Sequence, residues 1–169
     1  MTVLHGDKVL VFERKQRDQL ANKGYGERKP GELVLDLFEA IYLAEKEKLV
    51  VADRQGNALP REELMKAGEK KNKRFYPVYL VFADFRDRGF VVKTGFKFGF
   101  DLRVYPRGKK PGEAHSAYVV SVATQNEKFT MPELSRMVRM AGTLKTQLLQ
   151  AVVDNEDAIN YYVLGRMTP

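Results

Sequence analysis

The stretch DRGFVVKTGFKFGFDLRVYPRGKKPGEAHSAYVV, residues Asp87–Val120, decides the fold of the C-terminal half of the chain. At its centre, apolar residues alternate with polar or small ones, and the apolar set is Phe96, Phe98, Phe100, Leu102 and Val104. A period of two over ten residues predicts a β-strand with one buried face. The same pattern places Tyr105 on the polar face of that strand, beside Arg103 and Asp101.

The rest of this half predicts more strands and one helix. The strands are expected at Phe90–Lys93, Ala117–Ala123, Leu148–Val153 and Ile159–Leu164. Thr130 and Glu133 have the spacing of a capping box, which predicts a helix through about Ala141. The last two strands form a hairpin around the acidic tip Asp154–Asp157.

The N-terminal half predicts a small α+β unit. Strands are expected at Lys8–Phe12 and Leu49–Ala52, and helices at Glu32–Lys46 and Pro60–Ala67. The basic run Lys66–Arg74 separates this half from a further helix at Phe75–Arg88, which Gly89 ends. We therefore expect two domains, residues 1–73 and 74–169.

Composition narrows the function classes. The 169 residues carry a formal net charge of +7, no cysteine and two histidines. Hydrophobic and charged fractions of 44% and 30% fit neither a disordered chain nor a membrane protein. The missing cysteines exclude disulfides, thiolate chemistry and thiolate-bound metals. The N-terminus has no secretory pattern, so a cytoplasmic location is expected, and the positive charge favours an anionic partner.

Few residues are left to carry chemistry. The sequence has no phosphate-binding glycine loop, no GxSxG motif and no HExxH motif. Tyr105, His115 and Lys145 would each, taken alone, more often be structural or solvated side chains. Together they match the requirements of a known reaction, in which RNA is cut without a metal when its 2′-hydroxyl attacks the adjacent phosphate. That reaction requires a base, an acid and a cation, and tyrosine serves as base if a cation such as Arg103 lowers its pKa.

The stretch Asp87–Val120 resembles the C-terminal half of archaeal tRNA-splicing endonucleases, the tRNA-intron endonucleases of the short single-unit type. The matching elements are an Arg-Gly-aromatic-Val-Val-Lys-Thr-Gly opening, a Lys-Phe-Gly strand, a Val-Tyr strand end and a Pro-Gly-Glu-x-His-Ser loop. The resemblance continues through Arg136–Leu164, and Gly31–Val51 resembles the family's N-terminal half more generally. It implies a small N-terminal α+β domain followed by a restriction-endonuclease-like, mixed-sheet nuclease domain.

The resemblance also implies an activity. Family members cut precursor tRNA at bulge-helix-bulge junctions without metal or other cofactor, leaving a 2′,3′-cyclic phosphate and a 5′-hydroxyl. The catalytic tyrosine falls on Tyr105, the base, and the histidine on His115, the acid. The lysine falls on Lys145, with Thr146 as the other possible position. We choose Lys145 because it is the only lysine or arginine between Arg139 and Arg166.

Substrate binding and assembly are implied in the same way. Arginines of the family sandwich a flipped bulge base, and Arg139 is the first candidate here, with Arg136 on the same helix face. The other RNA-binding candidates are Arg103, Arg107 and Lys97. An acidic loop of the family joins subunits, which suggests interface roles for Asp154, Glu156, Asp157, Tyr161 and Tyr162.

These features predict a homotetramer, or an α2β2 assembly with a paralogous subunit. The alternative function is a non-catalytic RNA-binding or structural subunit of a heteromeric splicing endonuclease.

Overall fold

The computed structural model describes all residues, Met1–Pro169, and the chain divides into two compact units. The first unit is Met1–Tyr76 and the second is Pro77–Pro169. This division falls three residues after the predicted boundary between residues 73 and 74. None of the helices combines the length and the apolar character needed to cross a bilayer.

The first unit contains an antiparallel sheet of four strands in the order β1-β2-β4-β3. The strands are β1 (Thr2–His5), β2 (Lys8–Val11), β3 (Glu27–Lys29) and β4 (Glu32–Asp36). The helices are α1 (Arg14–Asn22), α2 (Leu37–Glu45) and α3 (Arg61–Lys71). Val9, Val11, Leu33 and Leu35 are fully buried, so the core of this unit lies on one face of the β2-β4 pair.

Two predictions in this unit are wrong in part. The helix expected at Glu32–Lys46 begins only at Leu37, because Glu32–Asp36 pairs with β2 as a strand. Leu33, Leu35 and Leu37 fit a strand period, whereas Leu33, Leu37 and Ile41 fit a helix period, so periodicity alone did not separate the two. The strand expected at Leu49–Ala52 is reduced to isolated bridges at Ala52.

Helix α1 was not predicted at all. Its N-terminus is capped by the Glu13 carboxylate, which accepts the backbone N–H groups of Lys15 and Gln16. Only Leu20 of the helix is buried, so the segment has no apolar stripe that would indicate a helix. Helix α3 confirms the helix expected from Pro60, but it continues to Lys71 and takes in much of the basic run.

The second unit contains a mixed five-stranded sheet in the order β5-β6-β7-β8-β9. Its first helix, α4 (Phe75–Asp87), begins two residues before the division. The other elements are β5 (Val91–Thr94), β6 (Leu102–Tyr105), β7 (Tyr118–Thr124), α5 (Met131–Thr143), β8 (Gln147–Val153) and β9 (Ile159–Leu164). Only β7 and β8 are parallel, and α5 is the crossover helix between them. The expected α+β fold with a mixed C-terminal sheet is confirmed.

The long strand expected from Phe96 to Tyr105 is wrong over its first half. Phe96–Phe98 forms one turn of 3-10 helix, and Gly99 follows in the left-handed region at φ 81°. The backbone N–H of Gly95 bonds to the carbonyl of Asp101 at 3.0 Å, which closes a tight loop between β5 and β6. Only Leu102–Tyr105 is strand, so the alternating apolar residues before it do not line one face of a sheet.

The other helices and strands expected in this unit are confirmed to within two residues at their ends. Thr130 and Glu133 form the capping box of α5, and β8 and β9 form an antiparallel hairpin. A small apolar cluster under α5 is centred on Phe100, Val119, Ala141 and Leu148. Packing of Ala141 into this cluster fixes the C-terminal end of α5 over the sheet, and that end adjoins the candidate site.

Candidate active site

The sheet brings three chain segments to one edge. Strand β6 ends at Tyr105, and its antiparallel neighbour β7 begins at Tyr118. Strand β8 is parallel to β7 and pairs Gln147 with Tyr118, so β8 begins at the same edge. The segments just before β7 and β8 therefore lie beside the end of β6. These segments contain His115 and Lys145.

Tyr105 and His115 line one cleft of about 460 Å³. The cleft is also lined by Arg103, Gly112, Glu113, Ala114, Ser116 and Leu144. His115 is exposed, whereas Tyr105 is only 3% exposed. An accessible imidazole and a buried phenol thus share one cleft, although ten residues separate them in the sequence.

The surroundings of Tyr105 differ from the expected open polar face. Arg103 lies on the same side of β6, with its Cζ 5.5 Å from the centre of the Tyr105 ring. Asp101 is buried instead, and its carboxylate accepts the backbone N–H of Val122 at 2.7 Å. The packing that buries Tyr105 therefore leaves a guanidinium as its charged neighbour.

Burial raises the pKa of the Tyr105 phenol, and the Arg103 guanidinium lowers it by a smaller amount. The net shift is upward, so the expectation that Arg103 would bring the pKa below its usual value is wrong. The physical reason is desolvation. Burial costs the phenolate more favourable interaction with water than it gains by attraction to the Arg103 guanidinium.

Lys145 lines a second, adjoining cleft of about 610 Å³ rather than the cleft of Tyr105 and His115. Ser116 lines both clefts, and Leu144 lines the first. The Lys145 side chain is exposed, and its backbone has φ 53°, in the left-handed region. The structure thus brings two of the three expected catalytic side chains into one cleft and places the third in the neighbouring cleft.

Thr146 has a different environment from Lys145. Its hydroxyl donates to the carbonyl oxygen of Ser116 at 3.0 Å. This bond joins the segment that precedes β8 to the segment that carries His115. Neither Ser116 nor Thr146 was singled out for this contact, since the two residues are 30 positions apart and the sequence has no local signal for it.

The other RNA-binding candidates lie outside the first cleft. Arg136 and Arg139 are exposed on α5, and Lys97 is exposed in the 3-10 turn. The Nε of Arg107 donates to the carbonyl of Arg88 at 2.8 Å, and its guanidinium lies 4.9 Å from the ring centre of Phe90. Of the five candidates, only Arg103 lines the cleft of Tyr105 and His115.

The acidic tip between β8 and β9 is a hydrogen-bonded turn. The Asp154 carboxylate accepts the backbone N–H groups of Glu156 and Ala158 at 2.8 and 3.0 Å. Glu156 and Asp157 are exposed. Asp154 therefore shapes the tip, while the following two carboxylates face solvent.

The two tyrosines of β9 have different surroundings. Tyr162 is 56% exposed. The Tyr161 hydroxyl donates to an Asp84 carboxylate oxygen at 2.6 Å, and its ring meets Phe85 edge-on at 5.2 Å. Tyr161 thus ties β9 to α4 within its own unit, a contact across 77 positions that no sequence pattern indicated.

The chain is similar to known proteins over nearly its whole length. Residues 1–65 match a family model described as tRNA intron endonuclease, N-terminal domain, and residues 75–161 match one described as tRNA intron endonuclease, catalytic C-terminal domain. A tRNA-splicing endonuclease of Methanothermobacter thermautotrophicus is 39% identical over 97% of this chain and 96% of its own length. One from Thermococcus onnurineus is 39% identical over 94% of this chain and 91% of its own. One from Methanococcus vannielii is 32% identical over 96% and 91%.

Proposed function

The chain belongs to the tRNA intron endonuclease family, and from this membership we propose how it carries out the cleavage step of tRNA splicing. It is a tRNA-splicing endonuclease. We propose that it cuts precursor tRNA at bulge-helix-bulge junctions through attack of the RNA's own 2′-hydroxyl, without a metal ion. The observation that carries this proposal is the shared cleft of Tyr105 and His115.

In this proposal Tyr105 is the general base and His115 the general acid. Tyr105 takes the proton of the 2′-hydroxyl, the 2′-oxygen bonds to phosphorus, and the bond from phosphorus to the 5′-oxygen breaks. His115 gives a proton to the departing 5′-oxygen. The products are a 2′,3′-cyclic phosphate and a 5′-hydroxyl. The exposure of His115 suits this role, because the leaving strand must reach it from solvent.

The raised pKa of Tyr105 has a consequence for this step. At neutral pH the phenolate is the minority form, so few molecules hold the base in its active state at any moment. A base of higher pKa is also a stronger one, which partly offsets its scarcity. Lys145 would stabilise the developing charge from the adjoining cleft, across Ser116, through its long flexible side chain.

RNA binding draws on the basic side chains around the two clefts. Arg103, Arg107 and Lys97 would contact phosphates, while Arg139 and Arg136 would reach a bulge base from the exposed face of α5. The net charge of +7 supports an electrostatic contribution that weakens as salt is raised.

We also propose a homotetramer, or an α2β2 assembly with a paralogous subunit, and a cytoplasmic location for the enzyme. The exposed carboxylates of Glu156 and Asp157 and the exposed ring of Tyr162 support a contact with another subunit. The double variant Glu156→Gln, Asp157→Asn should lower the light-scattering mass. It leaves Asp154, which shapes the turn, intact. An unchanged mass would remove the acidic tip from the interface.

The central experiment is cleavage of a bulge-helix-bulge RNA by the purified chain in EDTA, with the product ends identified. We expect a cyclic phosphate and a 5′-hydroxyl, and His115→Ala should abolish them. His5→Ala is the matched control, because His5 is the other histidine and is also exposed. A requirement for magnesium would overturn the mechanism. RNA binding without product would favour the non-catalytic subunit instead.

A further inference from the structure

We propose that Arg103 is a catalytic residue, and that its guanidinium binds the non-bridging oxygens of the scissile phosphate in the cleft of Tyr105 and His115. The inference rests on the proposed function and adds a specific role to it. It moves the main charge-stabilising contact from the adjoining cleft of Lys145 into the cleft where both acid–base side chains lie.

The guanidinium of Arg103 is held in place by two aromatic rings. Its Cζ lies 4.7 Å from the ring centre of Phe98 and 5.5 Å from that of Tyr105. Such stacking restricts the orientation of the planar group, so less conformational entropy is lost when an anion binds. Phe98 belongs to the 3-10 turn that replaces the expected strand, so this turn supplies one wall of the arrangement.

The hydrogen-bonding capacity of this side chain is not used within the protein. The Nε of Arg103 is shielded from solvent and has no hydrogen-bond partner. The two nearby carboxylates are already engaged. The Asp101 carboxylate accepts the backbone N–H of Val122, and the Glu113 carboxylate accepts the backbone N–H of Lys110 at 2.9 Å. No carboxylate of the protein therefore pairs with this half-buried cation, and an incoming anion would offset the desolvation cost of its charge.

The composition of the cleft identifies the anion. Arg103 is the only lysine or arginine among the residues that line it, and it stands beside the phenol and the imidazole. In the proposed reaction, the group that must sit between base and acid is the phosphate under attack. Negative charge on its non-bridging oxygens is greatest in the transition state, and a guanidinium offers a fork of donors that fits two such oxygens.

The test is single-turnover cleavage in EDTA at saturating enzyme, with wild type, Arg103→Gln and Arg103→Lys. Loss of one such donor costs about 10²–10³-fold in other enzymes, and we expect a loss of that order for Arg103→Gln, with little change in Kd. Arg103→Lys should recover part of the rate, because it restores the charge and most of the aliphatic stem. Lys46→Gln is the matched control: Lys46 also lies over a ring, 5.3 Å from the ring centre of Tyr42, but it belongs to the first unit and has no role in the proposed site. It should leave the saturated rate unchanged.

A second readout separates direct contact from a merely structural role. Sulfur is substituted for one non-bridging oxygen of the scissile phosphate in each configuration. We expect the substrate with sulfur in one of the two configurations to be cleaved more slowly by wild type. The same sulfur should not slow Arg103→Gln any further, because this variant already lacks the contact between the guanidinium and that oxygen. A saturated rate near that of wild type, or an undiminished sulfur effect in the variant, would overturn the proposal. Failure of wild type itself to cleave in EDTA would instead overturn the proposed function.

Discussion

Replacing Lys145 by glycine should make the protein more stable and less active at the same time. Lys145 is the first residue beyond the capped end of α5, in the left-handed region at φ 53°. Its backbone N–H bonds to Gly142 and that of Thr146 bonds to Ala141, both at 3.1 Å. This pair of bonds is a Schellman motif, in which glycine is the usual residue at the left-handed position.

The expected gain follows from the backbone. A non-glycine residue in the left-handed region costs roughly 1–2 kcal/mol, whereas glycine adopts it freely. Glycine also loses more conformational freedom on folding, which reduces the gain in the free energy of unfolding by about 0.5–1 kcal/mol. A net gain of about 1 kcal/mol should raise the midpoint of thermal unfolding by about 2–8 °C, depending on whether the unit unfolds alone or with the whole chain.

The molecule contains its own control at the end of α2. Glu47 has φ 56°, its backbone N–H bonds to Ala44 at 3.0 Å, and that of Lys48 bonds to Leu43 at 2.8 Å. This is the same motif with another exposed, charged side chain in place of glycine. Glu47→Gly should therefore give a similar thermal gain without affecting cleavage.

The assay pairs thermal unfolding by circular dichroism with single-turnover cleavage in EDTA. Lys145→Gly and Lys145→Ala should lose activity alike, up to about 10²-fold if the lysine supports the transition state. Only the glycine variant should gain stability, because alanine keeps the strained backbone. Full activity in both variants would refute a catalytic Lys145. A thermal gain for Glu47→Gly alone would refute the reasoning from backbone strain at Lys145.

Four further outcomes are expected. Tyr161→Phe removes a hydrogen bond to a carboxylate and should cost about 1.5–3 kcal/mol in denaturant unfolding, whereas the exposed Tyr162→Phe should cost almost nothing. The folded-state pKa of Tyr161 is raised above its ordinary value of 10.0. The stability that its hydrogen bond contributes is therefore complete below pH 10 and is lost as the pH rises beyond it. In that range the free energy of unfolding should fall more steeply for wild type than for Tyr161→Phe. Any residual cleavage by His115→Ala should increase with pH beyond 10 as the Tyr105 phenol ionises, and Tyr105→Phe added to it should remove that increase. Lys97→Gln should reduce the slope of log Kd against log salt by about one phosphate contact if that lysine binds an RNA phosphate, and an unchanged slope would exclude that contact.

Local rules were sufficient for the elements whose signals lie within a few residues. The capping box of Thr130 and Glu133 begins α5 where the sequence places it, and the acidic tip joins the expected β8-β9 hairpin. The strands expected at Phe90–Lys93 and Ala117–Ala123 also follow from short apolar runs. The family was evident from the same stretch, because its residues and spacing form a long motif.

Other features depended on contacts that sequence periodicity does not record. Glu32–Asp36 became a strand because β2 pairs with it, and Phe96–Phe98 became a turn because Gly95 bonds back to Asp101. In both places the spacing of apolar residues fits more than one backbone conformation. The choice between them is made by hydrogen bonds to residues outside the segment itself.

The sequence by itself determined the family and, through that resemblance, proposed Tyr105, His115 and Lys145 as the catalytic set; its lack of cysteine and its two histidines fit metal-free chemistry of this kind. The tertiary structure decided how they are grouped. Parallel pairing of β7 with β8 brings Lys145 to the same edge but into the adjoining cleft, while burial of Tyr105 raises its pKa and leaves Arg103 as its charged neighbour. Such distances and desolvation arise only when strands far apart in the chain are packed together, so no local pattern of residues encodes them.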